Sequence, residues 1–400
     1  MRAMLVKKAA YAFVLFYFLY LVAHIAFDKS DDYQWDFRSN CNAAKAYVSG
    51  LNPYSGTYLQ FNRAYPYPPH TLWFYKLFTL VNWNTAFYLF LFLKAALLGW
   101  LIYLCRSRFI GEECDALFFL FCIVAYNSPL CTDLWVGNNT VIEQCVLWSA
   151  FSFYLRRKLV PFCALVVLLA AWRITEAYFL ILVLFSTDKK RYLYMVGSCV
   201  ALAGILLLSF LKNPQLYASS VNGIMNLAFI KQHGGLECPS SYYFLRSLFD
   251  LLAKKTGLVV PSHITWGCYI GIAVIVISLT YQACVRVSAA RSKSDVQKIL
   301  VYLNCFAYVL VLPYISDYWY ALLIVPTYYV MKRATRLSTY ILLFILASLS
   351  KEGKFFYDDV VGLMWNYYPL LIAYAMWGIF LGILWGDNAR AYDRVPEATR

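Results

Sequence analysis

The sequence predicts an all-α protein that crosses a membrane many times, and three observations carry that prediction. Apolar residues make up 62% of the chain and charged ones only 14%. Apolar runs close to 20 residues, enough to cross about 30 Å of hydrocarbon as helix, recur from end to end. The formal net charge of +14 comes from short Lys and Arg clusters between those runs, the pattern of a chain oriented against a membrane rather than against nucleic acid. The 12 cysteines form no CxxC pair and have no histidine-rich spacing, so they read as small packing residues and not as a zinc site.

Arg2, Lys7 and Lys8 precede the first apolar run, about 9–27, and no small-residue cleavage site follows it. The run is expected to be an uncleaved anchor with a cytoplasmic N-terminus. A polar interval, 28–70, then lies outside. Within it, 40–49 has helical character and is stopped by Gly50 and Pro53. Residues 72–81 are too short to cross alone and are expected to form an interfacial or partly re-entrant helix behind Pro68-Pro69.

Further spans are expected near 85–104, 116–130 and 139–154, with an outer turn at 131–139 holding Asp133, Gly137 and two asparagines. The stretch 159–185 is broken by Trp-Arg-Ile-Thr-Glu at 172–176 and followed by Asp188, Lys189, Lys190 and Arg191. Two short spans meeting at the break keep that basic cluster inside, and broken spans are tolerated where their ends face protein. A span near 192–210 leads to a second outer loop, 211–262, with short helices near 220–230 and 243–252. The remaining spans are placed at about 263–284, 299–312, 318–331, 337–349 and 361–385. The count is about 12, every strongly basic short loop falls inside, and one transmembrane domain, 1–385, precedes a cytoplasmic tail, 386–400.

The polar residues narrow the chemistry. Asp36, followed by an aromatic residue and Arg38, suits proton transfer from a hydroxyl; the plain alternative is an acid at a helix start. Arg63, His70, Arg173, Lys231, His233 and Arg246 are candidate contacts for an anionic phosphate. Arg173 and Glu176 interrupt apolar sequence, where buried charge usually has a functional reason, the alternative being an ion pair that fixes the break. Asn42, Tyr54 and Tyr67 belong to the same outer interval, while Asp317 and Tyr318 line either a cavity or only a turn. No P-loop, Rossmann glycine pattern, HExxH pair or GxSxG elbow is present, which argues against a motor or a soluble-cofactor enzyme. No cofactor or metal is called for by these residues.

An aspartate after the first span, an alanine-rich helix, Gly50-Leu51-Asn52-Pro53-Tyr54, and Tyr67-Pro68-Pro69 before an apolar helix form an ordered set. This set resembles glycosyltransferase family 87, the polyprenyl-phosphate-mannose-dependent mannosyltransferases of the GT-C superfamily in bacterial inner membranes. The similarity is strongest over 35–69 and continues through 137–144, which contains Asn138, and 313–326. The resemblance implies an inverting hexosyltransferase with a GT-C fold, Asp36 as catalytic base, and a cavity open to the outer leaflet. Arg173 would match the family's basic residue in the broken span. The implied partners are a polyprenyl-phosphate-linked sugar, mannose or a related sugar by the family resemblance, a glycan or glycolipid acceptor, and membrane lipid. A flippase or transporter of lipid-linked sugar is the first rival, and a glycan polymerase or ligase the second.

Overall fold

The computed structural model describes residues 2–27, 34–54, 65–111, 116–229, 238–289, 295–333, 337–349 and 359–385. Its regular elements are helical. Among the described residues, four helices are long and apolar enough to cross a membrane: Trp83–Ile110, Arg191–Lys212, Ser262–Ala289 and Tyr368–Trp385. Ala116–Asn127 and Pro129–Val136 pass the same test as a pair bent by 69°. Other expected crossings fall on shorter apolar helices, including Tyr11–Phe27, Leu159–Trp172 and Val296–Val311.

The chain divides into two compact units. The first comprises 1–123 and 130–231. It contains α1 (Arg2–Phe27), α2 (Trp35–Val48), α3 (Leu72–Lys76), α4 (Trp83–Cys105), α5 (Ala116–Val124), α6 (Pro129–Val136), α7 (Thr140–Leu155), α8 (Leu159–Trp172), α9 (Arg191–Lys212) and α10 (Pro214–Phe229). Helix α2 begins at Trp35, earlier than its composition suggested, because Gln34 takes a left-handed conformation and turns the chain into the helix. Asp36 consequently lies in the first turn, where the helix dipole favours a negative charge.

Two breaks have local causes. Tyr126, Asn127 and Ser128 all have positive φ (51, 67 and 56°), a left-handed run that no α-helix can include. Pro129 then opens α6 at a position where its missing N–H costs nothing. The expected turn at 131–139 is therefore helical as far as Val136, and only 137–139 turn. At the second break α8 stops at Trp172, Arg173 is extended (φ −139°, ψ 104°), and a 12-residue 3₁₀ helix, Ile174–Phe185, follows. Such a long run of the tighter helix is uncommon, and a 3₁₀ stretch between helical segments often marks a hinge or a sequence under strain.

The second unit comprises 124–129 and 232–400. It contains α11 (Ser241–Thr256), α12 (Ser262–Ala289), α13 (Val296–Val311), α14 (Ile324–Lys332), α15 (Leu337–Ala347), α16 (Val360–Asn366) and α17 (Tyr368–Trp385). The core is α13, buried from Ile299 to Leu310. The expected span at 361–385 is divided at Tyr367, and Pro369 sits in the first turn of the second piece. Hydroxyl pairs lock this unit: Ser241 with Tyr374 (2.7 Å), Ser247 with Tyr367 (2.8 Å) and Tyr126 with Thr327 (2.6 Å). Tyr126→Phe leaves the buried Thr327 hydroxyl short of its partner. A loss of about 1 kcal/mol is expected in detergent-solubilised unfolding, and an unchanged midpoint would show the bond to be energetically idle.

Candidate active site

The polar centre of the first unit is built on the turn between α6 and α7. Lys94 is the one charged residue in the 23-residue apolar helix α4. Its Nζ lies 2.6 Å from Asp133 Oδ2, with both side chains fully buried, and it also donates to the Asp133 backbone carbonyl. The Asp133 carboxylate accepts from the backbone N–H groups of Thr140 (3.0 Å) and Val141 (3.4 Å), which satisfies otherwise orphaned donors at the start of α7. A single buried carboxylate thus ties α4, α6 and α7 together.

The turn held this way reaches α2. Gly137 has φ +73°, and a Cβ placed there would stand 2.7 Å from the Cβ of Phe37. Glycine is required twice over, for the backbone conformation and for the approach. Phe37 is fully buried, stacked on Phe90 with ring centroids 4.4 Å apart and packed edge-on against Phe78 at 5.4 Å. Beside this contact Asn138 Nδ2 donates to Asp36 Oδ2 at 2.6 Å. Asn138 Oδ1 accepts from Asn139 N (2.7 Å) and Thr140 Oγ1 (3.2 Å), so the amide's orientation is fixed from behind. The half-buried Asp36 carboxylate is held in one orientation by a charge-assisted bond.

The tyrosine-rich segment after residue 64 closes around this point. The Tyr54 hydroxyl donates to the Tyr67 carbonyl (2.8 Å), Tyr65 pairs with Thr71 (2.8 Å), and Asn40 of α2 donates to Tyr75 (2.8 Å). Tyr67 packs edge-on against Trp172 at the end of α8, with centroids 6.0 Å apart. Burial, reinforced by the Glu143 carboxylate, pushes the Tyr67 phenol well above its usual range, while Arg173 opposes the shift. Tyr67 is consequently a protonated donor within electrostatic reach of Glu143, Arg173 and Asp36. Arg173 Nη1 lies 3.5 Å from Glu143 Oε2, and Glu143 Oε1 is buried with no hydrogen-bond partner among the described residues. The carboxylate that Arg173 meets across the break is thus Glu143, while Glu176, fully buried, donates its backbone N–H to the Arg173 carbonyl (3.0 Å).

The other candidates stand as follows. His70 uses both ring nitrogens, Nε2 donating to the Ala171 carbonyl (2.8 Å) and Nδ1 meeting the Ser209 hydroxyl (3.2 Å). Burial lowers its basicity, against the carbonyl bond, so the neutral ring straps the loop to α8 and α9. Arg38 lies over the Trp83 ring, 5.6 Å from its centroid. Asn42 is half-buried on α2, six residues beyond Asp36 and on a different helical face. Arg246, on α11, and Asp317 and Tyr318, which open a 3₁₀ stretch, are half-buried residues of the second unit. Arg63, Lys231 and His233 lie outside the described residues. Lys94 and Glu143 are not among the candidates the sequence singles out. A lone lysine in an apolar span was the available signal for the first; nothing local distinguishes Glu143 until Arg173 is seen beside it.

Two substitutions test this framework. Gly137→Ala is expected to cost about 2 kcal/mol or more, from left-handed strain and the Phe37 clash, read as a lower unfolding midpoint. Lys94→Met strands a buried carboxylate and is expected to cost about 3–5 kcal/mol, with part of the loss restored in Lys94→Met/Asp133→Asn. If the double substitution were no better than the single one, the ion pair would not be the source of the effect.

The model of glycosyltransferase family 87 matches residues 65–313, well over half of the chain and beginning after Asp36. No curated protein matches the sequence. Among solved structures, the crystal structure of ArnT from Cupriavidus metallidurans in the apo state is similar with a TM-score of 0.33 and 14% identity, covering 93% of this chain and 76% of that one. By the family match, this multi-pass membrane protein belongs to glycosyltransferase family 87.

Proposed function

We propose that this membrane glycosyltransferase moves a sugar, mannose or a related hexose, from a polyprenyl-phosphate donor to a hydroxyl of an envelope glycolipid or polysaccharide. The observation that carries the reading is the 2.6 Å bond from Asn138 Nδ2 to Asp36 Oδ2. A carboxylate in the first turn of a helix, oriented by an amide that is itself held, has the arrangement a general base needs.

Asp36 takes the proton of the acceptor hydroxyl as that oxygen attacks the anomeric carbon. The bond from that carbon to the lipid phosphate breaks, with inversion. A phosphate leaves as an anion and needs no protonation, so this chemistry does not call for the second carboxylic acid of a glycoside hydrolase. Arg173, whose side chain is 24% exposed, and the protonated Tyr67 are the donors placed to receive the developing charge. Glu143 keeps the guanidinium oriented. The basic clusters at 106–108, 156–158, 189–191 and 332–333 support an inner-membrane orientation with both termini cytoplasmic and the Asp36 side outward.

The test is sugar transfer by purified protein in lipid from radiolabelled polyprenyl-phosphate-mannose to an envelope extract. Asp36→Asn is expected to lower transfer by about 10²- to 10⁴-fold while leaving the unfolding midpoint close to wild type. Asn138→Ala is expected to fall less, since it frees the base without removing it. Wild-type rates in Asp36→Asn would eliminate Asp36 as the base, and absence of transfer by wild type would point to another donor sugar or to the flippase reading.

A further inference from the structure

The stretch from Pro69 to Leu80 is continuously helical: a 3₁₀ turn, α3, and a second 3₁₀ turn, Leu77–Leu80. It is far too short to cross the hydrocarbon core. Its inner side is settled, with Leu72 and Tyr75 fully buried. The other side is apolar and open: Trp73 is 50% exposed, Leu77 63% and Leu80 75%. Their spacing, i, i+4 and i+7, places them along one face. Such a face, with a tryptophan and a lysine at its edge, belongs at the level of lipid headgroups.

Two cations converge on that tryptophan. Lys76 Nζ lies 4.6 Å from the centroid of the Trp73 ring, and Lys212 Nζ lies 5.4 Å from the same ring. Lys212 is the last residue of the apolar span α9, so its ammonium marks where that span leaves the hydrocarbon. Among the described residues neither ammonium has a carboxylate within ion-pair distance. The indole attracts both through its electron-rich face but carries no net charge, so two positive charges stay unneutralised around one ring. Position at a helix C-terminus explains Lys212; it does not explain why Lys76, inside the continuous helical stretch, meets it on one ring from a separate part of the chain.

We propose that Trp73, Lys76 and Lys212 form a binding site for the phosphate of an anionic membrane lipid. The two ammoniums take the phosphate oxygens, the indole orients the ammoniums, and Leu77 and Leu80 lie along the acyl chains. Lipid phosphate is the anion found at headgroup depth, and an interfacial helix with lysines at its edge is held there partly by attraction to anionic lipid. The bound lipid would also steady the helical stretch whose buried Tyr75 is hydrogen-bonded to Asn40 of α2. None of this depends on Asp36 being the base.

The experiment uses the full chain in neutral detergent micelles, titrated with short-chain phosphatidylglycerol, short-chain phosphatidylcholine or inorganic phosphate, and reads bound lipid by native mass spectrometry and the shift in unfolding midpoint. Wild type is expected to bind phosphatidylglycerol at least 10-fold more tightly than phosphatidylcholine. Lys76→Gln/Lys212→Gln is expected to lose that preference, while Lys189→Gln/Lys255→Gln, which removes the same charge at other exposed positions, keeps it. Retention of the preference in the first pair, its loss in both pairs, or its absence in wild type would overturn the proposal. So would inorganic phosphate stabilising wild type as well as the lipid does, since the site would then be one for a free anion.

Discussion

The buried pair of Lys94 and Asp133 is the constraint on which the first unit depends. Two opposite charges with no exposed surface are costly to place in an apolar interior, and they persist only because each is fully engaged. Asp133 holds the lysine on one oxygen and the first backbone donors of α7 with its carboxylate. Everything that follows in the chain inherits that anchorage: the left-handed Gly137 pressed on Phe37, then Asn138 on Asp36, then Glu143 one turn along α7 beside Arg173. The pair's value is positional. A hydrophobic substitute of similar volume could match its stability, but it would supply no acceptor for the α7 donors that set the turn.

Around that anchor the protein distributes polar groups by the environment each can tolerate. Along the tyrosine-rich segment, hydroxyls are directed at backbone carbonyls, an amide and one another, and His70 is bonded at both nitrogens as a neutral ring. The second unit relies on the same economy, using serine–tyrosine and threonine–tyrosine pairs in place of ions. Hydroxyl pairs carry little desolvation penalty compared with charges, and they suit helices packed away from water. Apart from Lys94 within α4, the charges of the polar centre stand at helix starts, breaks and the short α6, at Asp36, Asp133, Glu143 and Arg173. That is where a membrane protein can combine exposed backbone, polar side chains and access for a substrate.

The breaks are structural necessities as well as chemical opportunities. Three left-handed residues before Pro129 cannot continue α5, and the extended Arg173 cannot continue α8. At the first interruption Tyr126 bonds to Thr327, and at the second Arg173 meets Glu143. A uniform bundle of spanning helices would have no position where a half-buried carboxylate and a partly exposed guanidinium sit near a tyrosine hydroxyl within one compact unit.

By itself the sequence determined the membrane class, the short helical stretch behind Pro68-Pro69, and the interruption at 172–176. These are legible because hydropathy, proline and charge clusters act locally, within a window of one helix. The tertiary structure alone decided which polar groups meet. Lys94 finds Asp133 across 39 residues, Asn138 finds Asp36 across 102, and Arg173 finds Glu143 across 30. A lone charge in an apolar helix announces that a partner must exist, because leaving it unpaired costs too much, but its own neighbours in sequence carry no information about which helix supplies that partner. Helix packing supplies it, and at Gly137 the choice comes down to a single absent Cβ.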